Sequence, residues 1–421
     1  MPQQEPLTVL ASVDLRRAEA LTDVLREMRE DPAHNPVLPF GALRGWHFGR
    51  VLYLPPATGL EGEPLPPKLL LLGDCDGSAR AQLEALVDVG GTNLDRLFGA
   101  CEGYPSSPSR AARLAFLRKK SVATKANYVH RQGRTVEQIL GERELRRALR
   151  EFVARERLDG VPALEARRRI RAFVRETPRL RWALEPPPPL PLSFRAKNAL
   201  HATTLPLGLL AFGPAIVPAV LFLLLLVRLE ELRDEPEHLR PTPEHVHALT
   251  ELEDWYAHNG FTAGGFVKPG WVRQAVIRSV LPLIGWGTRH LFTRDSLAGV
   301  KTIHFARWIP LDDYRRVVFA SNYDGSLESY NNDFIDLVAW GLNLVFSNGL
   351  GYPKTRWLLF GGATLEQEFK DFLRRHQIPT PVWYSAYPDL TAVNIERNAE
   401  LRAGLSGFMN ERKAKEWLRL L

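Results

Sequence analysis

The chain has 421 residues, of which 45% are hydrophobic and 24% are charged, and its formal net charge is +7. This composition suits a globular protein of two or three compact units and excludes a disordered or collagen-like chain. Two cysteines, Cys75 and Cys101, are too few for a disulfide framework or a tetrathiolate metal site, so we expect a reducing compartment. The first residues lack a basic stretch followed by an apolar one, so we expect no cleaved signal peptide.

Residues 1-150 are predicted to form a first α+β unit. Alternating and β-branched runs predict strands, and apolar residues at helical spacing predict helices. In chain order the elements are a strand at 7–13, a helix at 15–29, strands near 44–54 and 68–73, a helix at 79–98 and a weaker strand near 121–129. The order βαββαβ is that of a ferredoxin-like unit.

A basic helical and proline-rich linker is predicted over 151-202. Arginine and lysine are dense from 109 to 181, and four prolines follow at 186–189. Because glutamates are interspersed, a solvated helical face explains this charge, and the alternative is that the Arg-rich region binds anionic lipid headgroups. No recognition motif accompanies the charge, so nucleic acid is not expected as a partner.

The apolar stretch 203-228 is predicted to enter a membrane. Its first 25 residues are uncharged, and as a helix they would extend roughly 37 Å, which exceeds the roughly 30 Å of a hydrocarbon core. Pro206, Pro214 and Pro218 each remove a helix donor and tend to kink or break a helix. The segment is therefore either a helical hairpin broken at Pro214 or a single kinked crossing.

After a helical connector at 229-260, residues 261-421 are predicted to form a second ferredoxin-like unit with a C-terminal helix. The elements are a strand at 261–267, a helix from 269 to about 292, strands at 300–309 and 316–321, a helix at 326–346, a strand at 356–360 and a helix at 364–375. The order is again βαββαβ.

An internal repeat links the two units. The stretch GDCDGS at 73–78 corresponds to SNYDGS at 321–326, and Gly-Tyr-Pro follows each at the same distance, at Gly103 and Gly351. A duplicated domain explains these matches. Two ferredoxin-like repeats in one chain are expected to form a pseudo-symmetric α/β barrel, which buries the sheet faces that helices leave bare. Both repeats must then lie on one side of the bilayer, which favours a membrane-inserting helical hairpin between them.

Several motifs of the second unit resemble an uncharacterised bacterial family that is grouped with the dimeric α/β barrel superfamily. They are FVKPG at 266–270, GVKTIHFAR at 299–307, SNYDGSLESY at 321–330 and WGLN at 340–343. The resemblance covers mainly residues 255–405, and no activity is attached to that family. The wider superfamily includes the dye-decolorising peroxidases and chlorite dismutases, which bind haem through a histidine with a distal arginine or aspartate.

The resemblance implies a haem site built from residues of the second unit. His304 would ligate the iron, and Arg307 would stabilise charge on a bound peroxide. We expect Asn322 and Asp324 as further catalytic residues, and Tyr330 as a residue that contacts the cofactor together with His304.

The residues themselves also allow purely structural roles. His304 would be a buried, hydrogen-bonded histidine, and Asp324 would cap the helix that follows it. Because side chains alternate along a strand, His304 should share a sheet face with Ala306 and Trp308, while Arg307 points to the other face.

The predicted function is that of a membrane-associated, haem-dependent, peroxidase-like oxidoreductase that acts on a hydrophobic small molecule. The alternative is a non-catalytic monotopic membrane protein that binds lipid or a protein partner. The expected location is the cytoplasmic face of the inner membrane. His245, His247, His258 and His290 have no metal-binding spacing, so no metal site is expected.

Overall fold

The computed structural model describes residues 4–158, 160–236, 238–293 and 296–421. The protein is α+β, with antiparallel sheets and one long apolar helix. The strands are β1 (Gln4–Ser12), β2 (Trp46–Leu54), β3 (Ala57–Thr58), β4 (Pro64–Leu65), β5 (Lys68–Asp76), β6 (Ala126–Val129), β7 (His258–Phe266), β8 (Ile303–Leu311), β9 (Arg316–Asp324), β10 (Thr355–Arg356), β11 (Phe360–Gly361) and β12 (Val382–Ser385).

Helices cover most of the remaining chain and confirm the helices predicted in both units. They are α1 (Ala18–Glu30), α2 (Ala79–Gly90), α3 (Leu94–Phe98), α4 (Arg110–Lys120), α5 (Val136–Glu156), α6 (Ala163–Glu176), α7 (Leu192–Arg233), α8 (Pro243–Thr250), α9 (Trp271–His290), α10 (Leu327–Phe346), α11 (Glu366–His376), α12 (Ala392–Ala403) and α13 (Glu411–Leu418).

Two four-stranded antiparallel sheets form the centre of the protein, and each contains strands from both halves of the chain. The first sheet has the order β1-β5-β2-β12, and the second has the order β6-β8-β9-β7. Val382 of β12 pairs with Val51 of β2, and Ala126 of β6 pairs with Trp308 of β8. The last strand of each half is therefore exchanged into the sheet of the other half.

The fourth strand of the second unit is not where the sequence analysis placed it. Residues 356–360 form only a local hairpin, in which Thr355 of β10 pairs with Gly361 of β11. Trp357 and Leu358 have positive φ angles of 58° and 60°, which end an extended strand. The strand that completes a sheet is β12, about 25 residues further along the chain.

Hydrophobic side chains fill the space between the two sheets. Leu52 of β2 and Leu70 of β5 belong to one buried cluster with Ile309 of β8 and Val318 of β9. The opposite faces of the sheets are covered by helices, with α1 to α4 on the first sheet and α9 to α11 on the second. Side chains that point between the sheets are therefore buried from both sides.

Helix α7 corrects the expectation of a hairpin. It runs without a break for 42 residues, with Pro206, Pro214 and Pro218 inside it. Each proline removes one backbone hydrogen bond and bends a helix, but the neighbouring residues keep helical geometry and the chain does not reverse. The predicted break at Pro214 is therefore wrong.

The start of α7 is attached to the end of α9. Arg289 of α9 donates a hydrogen bond from Nε to Oδ1 of Asn198 over 2.6 Å. His201 and His290 share a hydrogen bond of 2.8 Å between Nδ1 and Nε2. Because α7 approaches the start of α9 at its other end, the two helices are antiparallel.

The end of α7 is attached through a buried carboxylate. Glu231 is fully buried and accepts hydrogen bonds from Oγ1 of Thr355 over 2.8 Å and from the backbone amides of Trp357 and Leu358 over 2.7 and 2.9 Å. Val227 lies in the core beneath it. Both ends of α7 are thus fixed to the second half of the protein.

Many arginines of the basic region 109–181 hold elements of the protein together. Arg113 of α4 forms a two-pronged ion pair with Asp95. Arg167 of α6 donates to the backbone carbonyls of Gly404 and Ser406, beside the C-terminal helices. These contacts give several of the arginines a structural role, and binding of anionic headgroups by the exposed ones stays a prediction.

Candidate functional site

Irregularities in two strands position two histidines at the end of the space between the sheets. The pairing of β8 with β9 shifts register between Ile303 and Phe305, and the pairing of β2 with β5 shifts between Trp46 and Phe48. A bulge of this kind redirects the side chains next to it. The residues inside the two bulges are His304 and His47.

The bulge in β8 overturns the predicted facing of His304. Ala306 and Trp308 do pack on the helix-covered face of the second sheet. His304 instead contacts Phe48 of the first sheet, with ring centroids 5.4 Å apart. An unbroken alternation along the strand predicts the opposite face, so the extra residue in the bulge accounts for the difference.

His304 forms a buried pair with Asp324 at the end of β9. Its Nε2 lies 2.7 Å from Oδ1 of Asp324, and the two residues are 2% and 7% exposed. The second carboxylate oxygen, Oδ2, accepts a hydrogen bond from the backbone amide of Ala392 over 2.8 Å. Asp324 therefore binds the first backbone amide of α12, that of Ala392, beside the N-cap residue Thr391.

The first half contains the same arrangement. Nε2 of His47 lies 3.0 Å from Oδ1 of Asp76, and Oδ2 of Asp76 accepts from the backbone amide of Val136, the first residue of α5, over 2.9 Å. Nδ1 of His47 also lies 2.9 Å from the hydroxyl of Tyr387. The His-Asp pair thus has a structural role that occurs twice.

The prediction that Asp324 caps the helix directly after it is wrong in one respect. The helices that directly follow Asp76 and Asp324 are α2 and α10. They are capped by Ser78 and Ser326, which accept from the backbone amides of Ala81 and Ser329. The aspartates reach helices about 60 to 70 residues further along the chain. Such a long-range contact has no signature in the local sequence.

A third histidine distinguishes the second half from the first. His258 is fully buried at the start of β7, directly opposite Asp324, and its ring centroid lies 4.9 Å from that of His304. Burial, together with the neighbouring His304, lowers the pKa of His258 to about 4. In the first half the position opposite Asp76 is occupied by Gln4.

Arg307 does not join the histidines but reaches across into the first sheet. It donates to the backbone carbonyls of Leu7 and Gly73, over 2.9 and 2.8 Å. It also donates to the carboxylate of Asp74. Both terminal nitrogens of the Arg307 guanidinium group therefore form hydrogen bonds inside the protein.

Arg50 makes the equivalent contacts in the opposite direction. It donates to the backbone carbonyls of Phe261 and Ser321, each over 2.8 Å, and to the side-chain oxygen of Asn322. Burial lowers the pKa of Arg50 to about 10, although Asp74 opposes that shift. The two arginines act as reciprocal clamps between the sheets.

Tyr330 lies on the other side of the second sheet, between β9 and α10. Its hydroxyl is 2.7 Å from Oγ of Ser321, and its ring stacks on Tyr323 with centroids 4.0 Å apart. His304 points between the sheets, so the structure does not bring Tyr330 and His304 to a common pocket. The five predicted site residues therefore fall into three groups: His304 with Asp324, Arg307 with Asn322, and Tyr330 alone.

The packing around His304 does not fit haem. The rings of Phe48, His258 and Tyr387 surround the imidazole with centroids 4.9 to 6.1 Å away. A histidine that ligates haem must present a ring nitrogen to the iron at the centre of a wide, flat macrocycle. The close aromatic neighbours of His304 leave no space for that macrocycle. Haem binding stays a prediction from the resemblance alone.

No protein-family model, curated protein or solved structure matches this chain. The resemblance to the dimeric α/β barrel superfamily therefore also stays a prediction. What the structure adds is His258, whose position in the sequence shows no metal-binding spacing. The signal that could have found it is the repeat itself, because His258 stands where the first half has Gln4.

Proposed function

We propose that the protein is a monotopic membrane protein, held on a bilayer by the apolar surface of α7. The observation that carries this proposal is the exposure of that helix. Its most apolar 18-residue window has a mean hydropathy of 2.6, yet only 6% of it is buried in the protein. A core helix of equal hydropathy would be covered by other elements of the protein. Exposure of so large an apolar surface to water is unfavourable and marks an interaction site.

Individual side chains show how apolar the exposed surface is. Leu210, Phe212, Leu221 and Phe222 are between 60% and 80% exposed. Leaving one such side chain in water instead of a hydrocarbon environment costs about 1.5 to 3 kcal/mol. Several of them together supply enough free energy for firm binding to a bilayer.

The exchange of strands argues against a full crossing by α7. Residues before α7 supply β6 to the second sheet, and residues after it supply β12 to the first sheet. A complete crossing would place those strands on opposite sides of the bilayer and would prevent both sheets from forming. In this proposal α7 therefore lies along the plane of the membrane, because its continuous helix does not turn back.

Basic residues mark both ends of the apolar span. Arg195 and Lys197 are exposed near its start, and Arg233 is exposed at its end. Long basic side chains at such positions extend to the lipid headgroups while their stems stay in the apolar layer. This arrangement supports anionic headgroups as partners near α7, and the cytoplasmic face of the inner membrane is part of the same proposal.

The relation of the two halves completes the proposal. The reciprocal arginine clamps and the repeated His-Asp pairs support two ferredoxin-like repeats related by pseudo-symmetry, with the sheets closing as an α/β barrel. In this arrangement the membrane helix is an insertion between two repeats that form one body. No contact among the described residues favours the haem-dependent oxidoreductase, which stays a prediction.

Vesicle flotation tests the membrane proposal. Full-length protein, exchanged out of detergent, should float with phosphatidylcholine vesicles, and a Leu221→Glu, Phe222→Glu double variant should lose at least about tenfold in the bound fraction, because charged side chains at membrane depth cost about 2.5 kcal/mol or more each. Leu60→Glu is a matched control, since Leu60 is 45% exposed on the turn between β3 and β4. Equal flotation of the double variant, or a wild-type protein that stays in solution, would contradict the proposal.

A further inference from the structure

The pairing of strands gives His258, His304 and Asp324 a common location. His258 lies opposite Asp324 on the neighbouring strand, and His304 is hydrogen-bonded to the same carboxylate. One donor atom from each of the three side chains lies within 4.8 Å of the other two. The group is buried between the sheets.

We propose that these three residues bind one first-row divalent metal ion, of which Zn²⁺ is the best fit. Two imidazole nitrogens and one carboxylate oxygen form a ligand set that such ions prefer. Three protein ligands also leave a fourth coordination position for water or a small ligand. This inference goes beyond membrane attachment and does not depend on it.

The geometry needs only a small rearrangement to hold the ion, which would take the place of the proton between Nε2 of His304 and Oδ1 of Asp324, and that proton would be released to solvent. Three atoms within 4.8 Å of one another have a point that is no more than about 2.8 Å from each of them. Zinc–nitrogen and zinc–oxygen distances are about 2.0 to 2.2 Å, so each donor would move by less than about 1 Å. Side-chain rotations of this size leave the strands in place.

Outer contacts already orient two of the ligands. Nε2 of His258 donates to the backbone carbonyl of Leu390 over 2.8 Å, which leaves the lone pair on Nδ1, with Oγ of Ser385 3.3 Å away. Asp324 is fixed by the backbone amide of Ala392. Hydrogen bonds of this kind, from the outer side of each ligand, are typical of metal sites in proteins.

A surface cavity borders one of the three residues. A cavity of about 360 Å³ is lined by His258 together with Asn259, Trp383 and Tyr256. Tyr256 is 55% exposed, so the cavity begins at the protein surface. The cavity therefore extends from the surface to His258, whose side chain is itself fully buried.

The first half supplies an internal comparison. It has the same His-Asp pair, His47 and Asp76, but Gln4 takes the place of the third ligand and bonds the backbone amide of Gly133. A structural role for the pair alone does not require His258. His258, which stands where the first half has Gln4, therefore gives the second half a third metal ligand that the first half lacks.

Metal titration of the full chain in detergent tests the proposal. After treatment with a chelator, the wild type should take up about one equivalent of Co²⁺ with visible d–d absorption, or one of Zn²⁺ by elemental analysis. His258→Gln, which copies the first half, should lose this equivalent. His47→Gln is the matched control and should retain it, because His47 belongs to the other pair.

Each result has a definite meaning. Uptake by the wild type that is lost in His258→Gln and kept in His47→Gln supports the site. No uptake by the wild type, or equal uptake by His258→Gln, overturns it. X-ray absorption of the metal-loaded wild type needs no variant and guards against misfolding. Two imidazoles with oxygen ligands support the assignment, whereas a shell without two imidazoles overturns it.

Discussion

Asp74 of β5 accepts a hydrogen bond over 2.9 Å from Nδ2 of Asn322 of β9, and these residues occupy equivalent positions in the two halves. The carboxylate of Asp74 also accepts a hydrogen bond from Arg307, and the side-chain oxygen of Asn322 accepts one from Arg50. An aspartate at both positions would place two like charges in contact. The amide in one half therefore allows the two side chains to bond across the centre of the protein.

Removal of Asp74 should destabilise the protein strongly. In Asp74→Ala, two buried guanidinium groups lose the carboxylate between them, and an uncompensated buried charge costs about 3 to 5 kcal/mol. Chemical denaturation in detergent would measure the change in the free energy of unfolding. Asp88→Ala, which breaks the exposed pair with Arg110, should change it by no more than about 1 kcal/mol. Equal effects of the two substitutions would refute a special role for the central network.

The attachment of α7 should depend on Glu231. In Glu231→Gln, an amide group faces backbone donors that a carboxylate satisfied, and lost hydrogen bonds to a charged group cost about 1.5 to 3 kcal/mol each. We expect lower stability together with faster proteolysis near Trp357 and Leu358. Glu235→Gln, at an exposed position just beyond α7, should behave like the wild type. An unchanged cleavage rate in Glu231→Gln would show that other contacts hold the end of the helix.

His376 should make stability depend on pH. Burial lowers its pKa from 6.5 to about 4. Between these values the unfolded chain binds a proton that the folded protein excludes, so stability falls as the pH drops from about 6.5 to about 4, by up to about 3 kcal/mol. His376→Gln should reduce this loss when denaturation midpoints are compared at pH 7 and pH 4.5. The same pH dependence in both proteins would contradict the prediction.

The two cysteines should be unreactive while the protein is folded. Both are buried free thiols. Burial raises the pKa of Cys101 to about 12 and the pKa of Cys75 well above its ordinary value. Because the thiolate is the reactive form, Ellman's reagent should detect almost no thiol in native protein and two after denaturation. Rapid labelling of the native protein would show that one half opens locally.

The sequence was informative where the signal is local or repeated. The duplicated block predicted equivalent strands, and β5 and β9 do occupy equivalent positions in their sheets. The fourth strand of the second unit was misplaced because the apolar run at 356–360 looks like a strand, while the left-handed Trp357 and Leu358 bend it into a hairpin. Strand exchange was not predictable, because the order βαββαβ is the same whether the last strand stays or leaves.

The site shows the same division. The burial and pairing of His304 could be anticipated as a structural alternative, but the bulge that turns it between the sheets depends on one extra residue in β8. His258 lies 46 residues before His304, too far for a spacing motif. Only the antiparallel pairing of β7 with β9 brings it beside Asp324. The continuity of α7 is not predictable from its prolines, because a proline can either end a helix or only bend it.

The exchange of β6 and β12 also sets an order of events on the ribosome. The edge of β2 stays open until Val382 and the residues after it have been made, more than 320 residues after β2 itself. Helix α7 emerges well before that point, at a time when neither sheet is complete. Since chains grow at about 5 to 20 residues per second, this interval lasts on the order of ten seconds or more. Capture of α7 by a bilayer would hold the unfinished first half at the membrane surface while the second half is synthesised beside it.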